Sequence, residues 1–385
     1  MRHTSSIIGT NYTRSYSPAY LSHAGTNLHV MLNTTVARIN LKDNCTTTGV
    51  TLVDGTVINA TKEVILSAGT IQSPQLLELS GIGNETVLSA AGIDTLVHCP
   101  GVGENLQDHV RIVTAYQLKD NYTSPDILRF NATYAAEQLA LYEANHTSIY
   151  DETSSGYAYL DWKMTLGNDS ELMALAKEAA DPKNVVDQRK LANLNDHDGV
   201  PQLEILFDDG YLGNKGYPLI TSSLYGQQFF AMIASLNHLF SRGNSHINAS
   251  NPSGHPLFNP NYLSSDYDLR AVVEGAKYIR KVAQTHPLRD TWVDEYEPGL
   301  NVTTDAELVD FVKNNALSIW HPIGTCALLP ESDNGVVDSQ LKVYGVSNLR
   351  VADASVIPIT ISGHIQTAVY GIAERAAMMI TEQWK

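Results

Sequence analysis

Two histidines stand in sequence surroundings that suit proton transfer. His321 lies in Ser318-Ile-Trp-His-Pro-Ile-Gly-Thr-Cys326, and His364 lies in Ile361-Ser-Gly-His-Ile-Gln-Thr367. Each has apolar neighbours and a nearby glycine, as expected for a ring that points into a cavity. Because imidazole titrates at about pH 6.5, such a pair could take up a proton and return it at neutral pH. Taken alone, these features favour histidines that make structural hydrogen bonds.

Other catalytic signatures are absent from the sequence. It has no G-x-x-x-x-G-K-[ST] loop, no H-E-x-x-H motif and no G-x-S-x-G turn. Gly101-Val-Gly103 imitates the start of a dinucleotide fingerprint, but its sixth position is Leu106 and no strand precedes it, so we do not interpret it as a pyrophosphate loop. Cys45, Cys99 and Cys326 lack C-x-x-C spacing, which excludes a disulfide scaffold and a cysteine zinc site. We predict no metal site.

Charge and composition narrow the class of protein. The chain has 385 residues, of which 43% are hydrophobic, enough for a packed globular core. Lys and Arg number 25 against 41 Asp and Glu, and the net charge of −16 makes nucleic acid and anionic membrane surfaces poor partners. Two stretches without charged residues, 216–240 and 356–373, contain polar groups that a bilayer core penalises, so we predict no membrane span.

Potential N-glycosylation sites are dense along the chain. The N-x-[ST] acceptors begin at Asn11, Asn33, Asn44, Asn59, Asn84, Asn121, Asn131, Asn145, Asn168, Asn248 and Asn301. Such a density predicts an extracellular, secreted protein that carries N-glycans. The alternative is a simple richness in Asn and Thr. No signal peptide is visible at the start of the sequence.

The elements that would position the histidines can be predicted from residue periodicity. Alternating apolar residues predict short strands at 27–32, 35–40 and 50–53, with a hairpin return at 57–58. A buried strand at 63–69 ends in a glycine turn and leads into a helix that we expect to begin at Ser73 and Pro74 and to end at Gly81. A strand that runs through small residues into a helix is typical of an α/β ligand-binding turn.

The middle of the chain has a different character. Long polar connections and strand-like segments at 202–207 and 227–236 predict an inserted domain with a mostly antiparallel sheet. Helices are predicted near 135–142, over 268–285, after the capping box at Thr304 and Glu307, and over 366–383.

Several long motifs closely resemble those of the glucose-methanol-choline (GMC) oxidoreductases. Residues 62–83 are similar to the family's second signature. Further similar segments follow in the family's order: Asn105-Leu-Gln-Asp-His109, Ser241-Arg-Gly243, Phe258-Asn-Pro-Asn-Tyr-Leu263, His321-Pro-Ile-Gly-Thr325, residues 348–358 and residues 363–377. The resemblance covers nearly the whole chain. Histidine at position 364 is the pattern of the aryl-alcohol and glucose oxidase branch, whereas choline oxidase-like members have asparagine there.

The resemblance implies a flavoprotein of mixed α/β (α+β) fold. An FAD-binding dinucleotide-type domain, incomplete here, would comprise residues 1–109 and 311–385, with the catalytic histidines in the second part. Residues 110–310 would form the inserted substrate domain.

The same resemblance implies the oxidation of a CH–OH group. His321 corresponds to the family's catalytic base and His364 to its histidine or asparagine partner. A small-molecule alcohol, primary or aryl, would give its hydride to FAD, and dioxygen or a quinone would be the final acceptor. Two alternatives stay open: a non-redox lyase or cyclase of the same family that keeps its flavin only as structure, and a secreted glycoprotein fragment without catalysis.

The resemblance to the family also suggests which residues contact the cofactor. The residues that correspond to cofactor neighbours in the family are Val36, Asp353, Ala354, His364, Gln366 and Thr367. The last three would surround the flavin at the start of a helix, where backbone N–H groups and positive potential are available. The alternative for Asp353 is a solvated carboxylate in a turn.

The resemblance does not include the family's opening segment. Relatives begin with a strand, a G-x-G-x-x-G loop and a helix, and none of these occurs in this sequence. The sequence opens close to residues 14–21, which resemble a region of the family. A truncated gene model, a split product or a degenerate copy would all have this form. We expect the isolated chain to be prone to aggregation, because loss of a βαβ unit uncovers strand edges and apolar faces.

Overall fold

The computed structural model describes residues 7–8, 13–14, 16–151, 155–195 and 200–385. Its strands are β1 (Ile7–Ile8), β2 (Thr13–Arg14), β3 (Val36–Leu41), β4 (Thr47–Leu52), β5 (Val57–Asn59), β6 (Val64–Leu66), β7 (Ile82–Gly83), β8 (Val97–His98), β9 (Val110–Leu118), β10 (Ser155–Leu160), β11 (Leu203–Asp208), β12 (Phe229–Leu236), β13 (Asn244–His246), β14 (Leu257–Asn259), β15 (Trp292–Glu297), β16 (Leu317–Ser318) and β17 (Leu349–Val351). Its helices are α1 (Gly69–Leu79), α2 (Glu85–Ala90), α3 (Ile127–Phe130), α4 (Ala132–Asn145), α5 (Trp162–Leu166), α6 (Ser170–Ala179), α7 (Val185–Asn195), α8 (Asp266–Ala283), α9 (Asp305–Asn315) and α10 (Gln366–Gln383). The predicted acceptor Asn11 lies outside the described residues.

A six-stranded antiparallel sheet forms the centre of the middle region. Its strand order is β10-β11-β12-β9-β15, and β16 also pairs with β9. This confirms the mostly antiparallel sheet that the sequence predicts. The domain boundaries stay a prediction: β9 begins at Val110, and β16, beyond residue 310, joins the same sheet.

The two faces of this sheet have different partners. Side chains alternate across a strand, so Leu203 and Ile205 of β11 point to one face and Glu204 and Leu206 to the other. The first face packs into the large core beneath α8. On the second face Leu206 joins a smaller cluster with Ile319, which lies close in sequence to His321. The second face is therefore the one that meets the candidate site.

Terminal charges, a buried aspartate and a glycine stabilise helix α8 and its packing on the sheet. It carries acidic residues in its first turn and Arg280 and Lys281 in its last, which suits the helix dipole. Asp268 is buried and accepts hydrogen bonds from the backbone N–H groups of Phe240 (2.8 Å) and Ser241 (2.7 Å). At Gly275 a Cβ atom would lie 3.1 Å from Cβ of Ala234, so the close contact with β12 favours glycine.

The first and last parts of the chain form a second core. Strands β6 and β17 pair in parallel, and β3, β4 and β5 form an antiparallel meander. Buried apolar side chains from both ends of the sequence meet there, including Leu77, Ile82, Val337 and Leu349. The parallel pair with α1 beside it confirms the predicted strand-to-helix turn.

Two local predictions were wrong. Residues 27–32 form no strand: Leu28, Val30, Met31 and Leu32 are exposed, and no neighbouring strand pairs with them in the described part of the chain. Helix α1 begins at Gly69, not at Ser73, so Pro74 lies inside it. The backbone carbonyl that the N–H of residue 74 would have reached belongs to Thr70, and it accepts from Oγ1 of Thr325 instead (2.6 Å).

The terminal helix matches its predicted range, and a buried ion pair holds it. Arg350 is 1% exposed, and its Nε donates to Oε2 of Glu63 (2.7 Å) while another guanidinium nitrogen donates to Gln383. The indole N–H of Trp384 donates to Oε1 of Glu63 (2.7 Å). These bonds join the beginning of β6, strand β17 and the end of α10. In the described part of the chain no helix is long and apolar enough to cross a bilayer.

We expect Arg350→Met to destabilise the protein by about 3–5 kcal/mol, because it leaves the buried carboxylate of Glu63 without its charged partner. Urea unfolding curves measure this change. Arg375→Met on the exposed side of α10 is the matched control and should change the free energy of unfolding by less than about 0.5 kcal/mol. Equal small effects of both substitutions would show that the ion pair does not hold the helix.

Candidate active site

The structure brings the two predicted histidines together. His321 lies in the loop after β16, and His364 lies just before α10. Their ring centroids are 4.9 Å apart at an interplanar angle of 58°. Both rings are therefore within reach of one small molecule.

A buried carboxylate holds the loop of His321. Asp108 is 3% exposed and accepts hydrogen bonds from the backbone N–H of His321 (2.9 Å) and from the hydroxyls of Ser318 and Tyr262. Oγ of Ser318 also accepts from the backbone N–H of Trp320 (2.7 Å). Trp320 has φ +62°, an unusual conformation for a bulky side chain, and the bonds on both sides of it hold this turn.

The loop is also joined to α1. Oγ1 of Thr70 donates to the carbonyl of Pro322 (2.8 Å), while Oγ1 of Thr325 donates to the carbonyl of Thr70. This reciprocal pair connects the segment 321–325 with the first turn of α1. Two of the segments that resemble family motifs are thus in direct contact.

His364 has an acidic neighbour from the sheet. Its Nε2 lies 2.9 Å from Oε1 of Glu204, at an angle too poor for a hydrogen bond, so the contact is close but not well formed. Oε1 of Glu204 accepts from the hydroxyl of Tyr159 (2.9 Å). Oε2 of Glu204 is buried and has no hydrogen-bond partner among the described residues. The ring of Tyr157 packs edge-on against His364 at 5.2 Å.

A third histidine completes the cluster. His109 immediately precedes β9 and is fully buried. Its Nδ1 lies 2.9 Å from Nδ1 of His321, and the two rings meet at 81° with centroids 5.1 Å apart. The ring of His321 thus contacts the rings of both His109 and His364.

Burial controls the charge of these rings. It lowers the pKa of His321 to about 4, with repulsion from His364 acting in the same direction and Glu204 acting against it. Burial and the neighbouring imidazoles also hold the pKa of His109 well below its usual value. Since both rings are then neutral at pH 7, His321 is in the form that can accept a proton.

Asp353 occupies a buried position between two segments. Its carboxylate accepts from the backbone N–H groups of Gly69 (2.9 Å) and Ser355 (2.8 Å) and from the hydroxyl of Ser73 (2.5 Å). It is 7% exposed, so it is not a solvated carboxylate. Asp353 connects the end of β17 with the beginning of α1.

The other predicted cofactor neighbours lie at the surface of the second core. Val36 opens β3 and is half-buried, and Ala354 begins a short 3-10 turn. Gln366 and Thr367 are exposed in the first turn of α10, next to His364. No side chain caps this helix, and its first turn has no acidic residue. Free N–H groups and a positive helix end are a suitable place for an electron-rich group such as a flavin ring.

The sequence did not single out Asp108, His109 or Glu204. Asp108 and His109 end the segment Asn105-Leu-Gln-Asp-His109, which carried the resemblance but gave no sign of its contact with His321. Glu204 lies between Leu203 and Ile205, and this alternation was the available signal of a polar group on one face of a buried strand.

Comparisons with known proteins identify the family of the chain. Residues 10–111 and 240–373 match the N-terminal and C-terminal family profiles described as GMC oxidoreductase. The GMC oxidoreductase family protein Mala s 12 of Malassezia sympodialis is 37% identical over 98% of this chain and 60% of its own length. The pyranose dehydrogenase of Agaricus campestris is 31% identical over 98% of this chain and 61% of its own length.

Solved structures are similar over the same extent. An FAD-dependent oxidoreductase from Chaetomium thermophilum has a TM-score of 0.84 at 26% identity, over 98% of this chain and 66% of its own. A fungal aryl-alcohol oxidase has a TM-score of 0.82 at 26% identity, over 97% and 65%. The chain therefore spans less than two thirds of the length of these relatives, and over that span it belongs to the GMC oxidoreductase family.

Proposed function

We propose that this chain belongs to an FAD-dependent oxidoreductase that oxidises the CH–OH group of a small alcohol. The observation that carries the proposal is the side-by-side placement of His321 and His364 next to the uncapped beginning of α10. Membership of the GMC oxidoreductases supports it, and so do relatives whose names describe dehydrogenases and oxidases.

The histidines have complementary tasks in this reaction. Oxidation breaks the O–H and C–H bonds of the carbinol and forms a C=O bond, so a proton and a hydride must both leave. FAD, when bound, supplies the acceptor for the hydride. Neutral His321 accepts the hydroxyl proton, and His364 donates a hydrogen bond to the same oxygen. Glu204 places a carboxylate oxygen 2.9 Å from Nε2 of His364, beside that ring.

The residues that would hold FAD fit such a role. The backbone N–H groups of Gln366 and Thr367 lie in the first turn of an 18-residue helix, at its positive end, where no intrahelical acceptor is available to them. Asp353 shapes the turn at the beginning of α1, and Ala354 and Val36 lie on the same half of the molecule. We assign these positions to cofactor binding, with Asp353 acting through the backbone that it organises.

The surroundings of His364 favour a primary or aryl alcohol. Tyr157 touches the His364 ring and packs on an apolar cluster formed by Val113, Leu206, Ile233 and Ile319. An apolar wall beside two proton-transfer groups suits a flat or aliphatic substrate with one hydroxyl. The electron acceptor in the second half-reaction would be dioxygen or a quinone.

Anaerobic addition of an aryl alcohol to the FAD-loaded protein should bleach the absorbance of the oxidised flavin. The methyl ether of the same alcohol is the matched control, because it has no hydroxyl proton to give and should leave the spectrum unchanged. An unchanged spectrum with a series of alcohols would favour a lyase or cyclase that keeps flavin as structure. Failure to bind FAD at all would favour a secreted glycoprotein without catalysis.

The two histidines should differ in their effect on turnover. His321→Ala removes the base and should lower kcat by about 10²–10⁴-fold while changing KM less. His364→Asn should be milder, because asparagine can still donate a hydrogen bond to the substrate oxygen. Steady-state rates are compared at equal flavin content and equal melting temperature. The reverse ranking would exchange the two assignments, and equally mild losses would mean that both histidines are structural.

We also propose that the protein is extracellular and carries N-glycans. Of the acceptor asparagines that the structure describes, Asn84 and Asn248 are half-buried and all the others are exposed. Treatment of the protein from the culture medium of its natural host with a peptide N-glycosidase should lower its mass. An unchanged mass would support the alternative, a composition rich in Asn and Thr.

A further inference from the structure

His109 is a buried titratable group that the proposed reaction does not use. It is 0% exposed, and its Nδ1 faces Nδ1 of His321 at 2.9 Å. A contact at this distance between two neutral rings needs one N–H and one lone pair. The ring that donates therefore determines where the protons lie on both histidines.

Only one of the two arrangements leaves His321 able to act as a base. If Nδ1 of His321 donates, its Nε2 keeps a lone pair that can accept a proton. If Nδ1 of His109 donates instead, His321 carries its proton on Nε2 and offers the substrate a donor. The tautomer of His109 thus decides between a base and a hydrogen-bond donor.

The surroundings of His109 favour the first arrangement. The backbone carbonyl of Ile361, which can only accept, acts to raise the pKa of His109 and partly offsets the depression. Burial is the main cause of that depression, and repulsion from His321, His238 and His364 adds to it. His109 therefore holds a single proton. Because Nδ1 faces His321, Nε2 is the nitrogen left to hold the proton, and among the described residues it makes no well-formed hydrogen bond.

We propose that His109 is a positioning residue that holds His321 in the tautomer with its proton on Nδ1 and its lone pair on Nε2. The catalytic consequence rests on the proposed function, in which His321 is the base. Asp108, the residue before His109, binds the backbone N–H of His321. Consecutive residues of one segment thus determine both the place of this histidine and its protonation pattern.

The tautomer can be measured without any turnover. In protein labelled with ¹⁵N at histidine, long-range ¹H–¹⁵N correlations distinguish a proton on Nδ1 from one on Nε2, and His321→Gln assigns the signals. We expect the Nδ1–H form of His321 in the wild type. His109→Asn keeps an acceptor oxygen near the position of Nδ1 and should preserve this form. His109→Phe fills the space without an acceptor and should shift His321 to the Nε2–H form, the more stable one for free imidazole.

Activity gives a second, separable readout. His109→Phe should lower kcat at least tenfold with little change in KM, since a wrong tautomer has cost other enzymes up to about 10⁴-fold in kcat, while His109→Asn should stay near the wild type. An Nε2–H form in the wild type, or an unchanged tautomer in folded His109→Phe, overturns the proposal. If His109→Phe does not fold, the tautomer of His321 in the wild type tests the proposal by itself. If the tautomers are as expected but no alcohol is oxidised, the proposed function is refuted and the positioning role of His109 is not.

Discussion

The buried carboxylate of Asp108 is the interaction on which the geometry of the site depends. It joins the segment before β9 to Tyr262 and to the loop that carries His321. Burial raises the pKa of this carboxyl, while the hydroxyl and backbone donors act to lower it. A carboxylate at this depth needs those donors, because an unpaired buried charge costs several kcal/mol. The loop therefore has little freedom to move away.

A second set of buried polar contacts joins this loop to the half of the molecule that contains the second core, formed by the first and last parts of the chain. Asp353 joins the end of β17 to the start of α1, and Thr70 and Thr325 join α1 to the segment after His321. The antiparallel sheet supplies the opposite side, with Glu204 and Tyr159 on its second face. The histidine rings lie between these halves. Burial keeps His321 and His109 neutral, and that neutrality is what a base at pH 7 requires.

Local sequence patterns predicted those elements whose residues pack on a continuous core. Helices α8 and α10 and strands β11 and β12 of the large sheet have such patterns, and they were found close to the expected positions. Residues 27–32 alternate like a strand but pair with no strand among the residues that the structure describes, and alternation alone cannot reveal this. Pro74 within α1 is tolerated because a hydroxyl far along the chain, that of Thr325, takes the place of the missing N–H. The contact of His109 with His321 could not be predicted either, because it joins residues 212 positions apart and periodicity reports only local structure.

The central claim is that burial keeps His321 uncharged beside His364. An NMR titration that follows the ring Cε1–H signal of His321 tests it most directly. The structure predicts no transition at about pH 6.5, where an exposed histidine titrates, and protonation only as the pH falls to about 4. A His321 signal with its midpoint at about 6.5 in the folded protein would contradict the account.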